Sequence, residues 1–147
     1  MAGSVLDPAF ELPGVADGIS STVQNRLRTL WSGRDMSHEL VAAAAMRSAQ
    51  LLGIDDDAGV RDVLLPDFAK GLVDASDVRG WPQWPESRGR LELALAEQLW
   101  IDPSSVDDST VEPLLETRGS DGLIRVAWQL ILIGQLHRLA LVLHNDT

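Results

Sequence analysis

The stretch LIRVAWQLILIGQLHRLALVLH, Leu123 to His144, decides the fold class. It is the longest apolar segment of the chain, has no internal proline and reads as one continuous helix. Ser120 and Asp121 offer side-chain oxygens to the free amides of its first turn, and Asp121 adds negative charge at the positive end of the helix dipole. At about 100° per residue, Leu123, Ile124, Val126, Trp128, Leu130, Ile131, Leu132 and Ile133 cover almost the whole circumference, so the helix needs cover on several sides. Arg125, Gln129, Gln135, His137 and Arg138 interrupt the run too often for a span of about 20 apolar residues, which argues against a membrane crossing. Arg125, Gln129, His137 and His144 fall within an arc of roughly 120° and form one polar stripe. That stripe reads first as satisfied edge or interface polars and second as a ligand-facing surface.

Working outward, the remaining elements also read as helices. Ser37 caps HELVAAAAMRSAQLL, which closes at Gly53 in the position that favours a left-handed residue. Its alanines, Ala42 to Ala45, let two backbones approach closely, so this helix is expected to pack deep against the C-terminal one. Ser21 to Trp31, with Val23, Leu27, Leu30 and Trp31 at helical spacing, is a short first helix stopped by Gly33. Residues 1–20, with Pro8, Pro13, Gly14 and Gly18, suit an extended arm. After Asp55 to Asp57, AGVRDVLLPDFAKGLVD is helical with a kink or restart at Pro66. Residues 75–87, ASDVRGWPQWPES, form one long loop. Arg88 to Trp100 is helical, Asp107 or Asp108 caps a short helix STVEPLLET, and Gly119 leads into the last. No strand pattern or repeat is visible. The expectation is an all-α, single-domain bundle of about six helices spanning 1–147.

Composition narrows the chemistry. The 147 residues contain no cysteine, which excludes disulfides, thiolate metal sites and every thiol-based redox mechanism. A formal net charge of −10 repels nucleic acid, and the basic residues are scattered. No basic and apolar signal segment opens the sequence, so a cytoplasmic location is the default expectation. The three histidines, His38, His137 and His144, lack chelating spacing, so no metal is expected. No G-x-S-x-G, P-loop or G-x-G-x-x-G motif is present, and no cofactor is expected.

Acid–base candidates are Glu39 beside His38, and His137 beside Arg138: Glu39 as a general base if burial raises its pKa, Arg138 as a bidentate carboxylate holder. Each also has a structural reading, Glu39 as a first-turn carboxylate on the helix dipole and Arg138 as an ion-pairing residue at an interface. Trp81 and Trp84 either plug a groove between helices or subunits, or form a lid over an apolar ligand; Trp128 and His38 join them as candidate substrate contacts.

The segments SHELVAAAAMRSAQLLGI and RGRLELALAEQLWIDPSSVDDSTVEPLLETRGSDGLIRVAWQLILIGQLHRLALVL resemble the carboxymuconolactone decarboxylase and alkylhydroperoxidase D-like superfamily from about Ser37 onward. The matching features are the E-L-V-A opening, the R-x-x-L-x-L-A helix, the D-P-S-S-V-D-D connection, the S-D start of the last helix and its closing H-R-L-A. The resemblance implies a helical bundle that assembles as a trimer or hexamer, with a pocket near subunit contacts. The peroxidase branch carries a glutamate, matched by Glu39, then a C-x-x-C pair and a histidine. Leu51 and Ile54 stand where the cysteines belong and Ala58 where the histidine belongs, or one of Asp55 to Asp57 after a small gap. Peroxide reduction by a thiol relay is therefore ruled out. Two readings follow: a cysteine-free enzyme doing non-redox decarboxylation, isomerisation or cyclisation on a small, largely apolar organic molecule through Glu39, His137 and Arg138; or a catalytically silent oligomer that binds a ligand or a protein.

Overall fold

The computed structural model describes Thr22, residues 35–54 and residues 60–145, with backbone alone at 143–145. The expected arm at 1–20, the helix at 21–31, Gly33, the acidic run at 55–57, Ala58 and the His144 side chain lie outside the described residues. Among the described residues from 35 onward five α-helices follow one another: α1 (His38–Leu51), α2 (Val60–Leu64), α3 (Ala75–Arg79), α4 (Arg90–Ile101) and α5 (Asp108–Asn145). From α2 onward short 3-10 turns lie between them, and no strand occurs among the described residues, so the chain is all-α there.

Helix α1 starts and stops where its end residues dictate. The Ser37 hydroxyl accepts from the Leu40 amide at 3.1 Å, the N-cap bond that frees the first turn from an unsatisfied donor. At the other end Gly53 has φ 72°, its amide donates to Gln50 O and the Ile54 amide donates to Ala49 O, the Schellman arrangement that consumes orphan carbonyls. Between these caps Leu40 to Ala45 are all buried, and Val41 to Ala45 have no exposed surface. The run of small side chains is covered on every side, packed against α5, α4 and α3.

Pro66 ends α2, with φ −68° and ψ 160°, and a 3-10 turn restarts at Asp67, as expected of a residue that lacks an N–H. Residues 75–87 differ from the expected long loop. Asp74 accepts from the Asp77 amide at 2.8 Å and caps α3, after which 3-10 turns cover Trp81–Gln83 and Glu86–Arg88. The prolines that suggested irregular chain stand at the starts of these turns, where a missing N–H costs nothing. Helix α5 joins the expected fifth and last helices end to end: Asp107 caps it through the Thr110 amide, and Gly119, at φ 74° and ψ 169°, breaks the helical geometry between them.

The core lies between α1, α4 and the second half of α5, where Val126, Leu130, Ile133, Leu136 and Ala140 are buried together with Leu93, Ala96 and Trp100. Trp100 is the last α4 side chain to enter it. Its indole donates to the Leu130 carbonyl at 2.6 Å and lies across Gly134, where a Cβ would stand 2.7 Å from Trp100 Cδ1. Glycine at 134 is thus a packing requirement. Gly134→Ala is expected to lower stability by about 1–3 kcal/mol through overpacking, whereas Gly71→Ala, with open space at its Cβ, is expected to change it by under about 0.5 kcal/mol; denaturant unfolding of both variants checks the contrast.

Candidate functional site

Three groups of polar and aromatic side chains surround α1, and they lie in different places. The first is at its N-terminal end. Arg88 sits over the Trp84 ring, its guanidinium carbon 3.8 Å from the ring centre, and donates through both terminal nitrogens to the Asp77 carboxylate, with Nη1–Oδ1 at 3.1 Å. Glu39 Oε2 is 3.9 Å from Arg88 Nη2, and His38 meets Phe68 edge to face with ring centres 5.3 Å apart. The Arg88 hydrogen bonds hold the Asp77 carboxyl below its ordinary range, helped by a bond from Trp84, and the same pairing raises the Arg88 guanidinium further. Trp84 is buried and Trp81 half-buried against the core, so this pair plugs a gap between helices. Glu39 is a first-turn acid beside an arginine, with nearly half of its side chain in solvent.

The second group ties the long helix to the start of α1. Arg125 Nε donates to Asp35 Oδ1 at 3.0 Å and Gln129 Nε2 lies 3.4 Å from Asp35 Oδ2, so half of the polar stripe receives one carboxylate. Arg118, one heptad before Arg125, donates to Glu92 Oε2 from Nε at 3.1 Å and to the Asp35 carbonyl. Glu92 is buried, which makes Arg118 its counter-charge inside the fold. Sequence reading missed this role; the seven-residue interval to Arg125 is its signal, masked by the break at Gly119.

The third group is at the C-terminal end of α1. A cleft of about 260 Å³ is lined by Ser48, Leu51 and Leu52 of α1, Trp100 and Ile101 of α4, and Gly134 and Arg138 of α5. Arg138 Nη2 donates to the Trp100 carbonyl at 2.8 Å, capping the end of α4. Leu51, the position matched to the first family cysteine, is one wall of this cleft, while Ile54 packs against the core.

The seven sequence-derived candidates therefore do not converge. Glu39 and Leu51 are twelve residues apart on α1, roughly 18 Å of helix rise, so Glu39 and Arg138 stand at opposite ends. His137 is fully buried on the core side of α5, while its neighbour Arg138 is exposed. Trp128 is 67% exposed, on a different face again. Only Arg138 lines the cleft. Gly134, inside an otherwise bulky helix, is the sequence signal that marked a close approach there. Among the described residues no group of three or more His, Cys, Asp or Glu is placed to hold a metal ion, and no helix is long and apolar enough to cross a membrane.

Two outcomes follow from these geometries. Arg118→Leu leaves Glu92 without its partner and is expected to cost about 2–4 kcal/mol, with Arg118→Leu/Glu92→Leu recovering part of the loss, measured by denaturant unfolding. Because Asp77 titrates lower when folded, its pairing stabilises above the unfolded value of about 3.9 and is lost as pH falls through the folded pKa. The stability advantage of the parent chain over Asp77→Asn is therefore expected at neutral pH and should shrink as pH drops below about 4, followed by Tm against pH. Compared with family models, curated proteins and solved structures, the chain matches none.

Proposed function

We propose that this chain is a catalytically silent binding module with a carboxymuconolactone decarboxylase-like bundle, and that its cleft takes a small amphipathic anion such as a short aliphatic or aryl carboxylate. The observation that carries this reading is the cleft's composition. One guanidinium faces walls of Leu51, Leu52, Trp100 and Ile101. Arg138 spends one donor on the Trp100 carbonyl, and a guanidinium has five N–H groups in a fork that matches a carboxylate. About 260 Å³ lies just below the usual range of roughly 300–1,000 Å³ for ligand pockets, room for a compact body with one charged end.

Turnover would need an acid or base beside the bound molecule. Glu39 is at the far end of α1, and among the described residues the cleft's other polar groups are the Ser48 hydroxyl and the Trp100 indole N–H, which is given to the Leu130 carbonyl. Binding is therefore favoured over lyase or isomerase chemistry. The family resemblance supports assembly as a homo-oligomer, trimeric or hexameric, and a cytoplasmic setting accompanies it as part of the same reading.

Calorimetric titration of the full chain with octanoate and with octanol tests this. Octanoate is expected to bind at least about tenfold more tightly than the alcohol, a difference of ~1.4 kcal/mol. Arg138→Leu is expected to abolish that preference and Glu39→Gln to leave it unchanged. Equal binding of acid and alcohol, or an octanoate affinity unaffected by Arg138→Leu, contradicts the proposal. Loss of binding in Glu39→Gln would return that residue to the site.

A further inference from the structure

The cleft has a floor and a rim of different chemistry. On the floor Ser48 is 2% exposed, Trp100 7% and Gly134 buried; on the rim Leu51 is 37% exposed, Ile101 67%, and Arg138 is exposed. Helix α1 and the second half of α5 run the same way, since Asp35 meets Arg125 and Gln129 while the far end of α1 meets Gly134 and Arg138. Ser48 to Leu52 and Gly134 to Arg138 are therefore matching single turns, each rising roughly 6 Å from floor to rim.

Ser48 carries the open polar group of that floor. Leu51 and Leu52, three and four positions on, place it on the α1 face that lines the cleft. Among the described residues its hydroxyl makes no hydrogen bond, not even the one to a carbonyl a turn back that Thr117 makes to Pro113. Its oxygen is nevertheless not sealed inside the protein. The neighbouring Trp100 N–H is given to the Leu130 carbonyl, so the Ser48 hydroxyl alone remains for a ligand to meet at this depth.

We infer that Ser48 is a specificity-determining residue and that the cleft takes a bifunctional acid: a carboxylate held at the rim by Arg138, an apolar body, and at the far end a hydroxyl that exchanges a hydrogen bond with Ser48 Oγ. This rests on the anion reading of the cleft and adds the second polar end. An alcohol both donates and accepts, so it can meet the serine in either sense. A ligand ending in a methyl group covers the hydroxyl and leaves it unpaired among apolar walls. A site built around a buried polar group discriminates against such an analogue more sharply than apolar fit can.

Calorimetric titration of the full chain with matched pairs, hexanoate against 6-hydroxyhexanoate and octanoate against 8-hydroxyoctanoate, is the test. A terminal hydroxyl ordinarily weakens binding in an apolar pocket, because its hydration is lost. Here the hydroxy acid whose length spans floor to rim is expected to bind at least about threefold more tightly than its plain acid. In Ser48→Ala the order is expected to reverse: the hydroxy acid weakens at least about tenfold, while the plain acid stays within about threefold of its affinity for the unsubstituted chain. Without ligand, Ser48→Ala exchanges an unpaired hydroxyl for a better helix former and is expected to raise Tm by about 2–5 °C. Hydroxy acids that bind more weakly than the plain acids at both lengths overturn the inference, as does an affinity ratio untouched by Ser48→Ala. So does a Tm that fails to rise, since the hydroxyl is then bonded within the chain. The anion reading falls separately, through an acid affinity that ignores Arg138→Leu.

Discussion

The closeness with which the α1 backbone lies among its neighbours is the constraint on which the other features depend. Four consecutive alanines give α1 a thin waist that is fully buried, so its neighbours pack close to its backbone. Small side chains let helix axes approach at the short end of the usual 8–10 Å, and α5 packs against α1. Gly134 repeats the device on α5, opening the notch in which the Trp100 ring rests and reaches the Leu130 carbonyl. At the opposite end the same approach brings Asp35 within reach of Arg125 and Gln129, so one carboxylate fastens the entry of α1 to the long helix.

The long helix explains why its apolar residues run all round. An ordinary surface helix carries one stripe, yet here two opposite stripes occupy most of the circumference. One is the core face of Val126, Leu130, Ile133 and Ala140; the other is the open row from Ile124 to Val142. The polar residues between them are used locally, Arg125 and Gln129 on Asp35 and Arg138 on the end of α4. A helix of this kind serves as the centre of the described fold while leaving one apolar row exposed.

Local chemistry was legible in the sequence wherever a single residue type dictates the backbone. Ser37 caps α1, Gly53 closes it in the left-handed region, Pro66 stops α2 and the alanine run is buried as its size demands. Residues 75–87 were misread because Pro82 and Pro85 mark turn starts as readily as loops, and the Asp74 cap alone separates the two. The candidate site was less legible, since it depends on which end of α1 each residue meets. Glu39 and Arg138 look like partners in the list of reactive groups, but twelve residues of helix separate Glu39 from the cleft. Arg118 and Glu92, twenty-six positions apart, become a buried pair only once α4 and α5 are docked. The cleft itself is built from Leu51, Leu52, Trp100 and Ile101, residues whose composition suggests packing and whose concavity no spacing reveals.

If the alanine waist of α1 organises the fold, its backbone must be the last to open. Native-state amide hydrogen exchange reads this directly, residue by residue. The account predicts that the amides of Ala42 to Ala45, with those of Leu130 to Ala140 on α5, exchange only through global unfolding and share one denaturant dependence. Exchange of Ala42 to Ala45 through local opening, faster than the segment between Thr110 and Arg118, would contradict it and move the organising contact elsewhere.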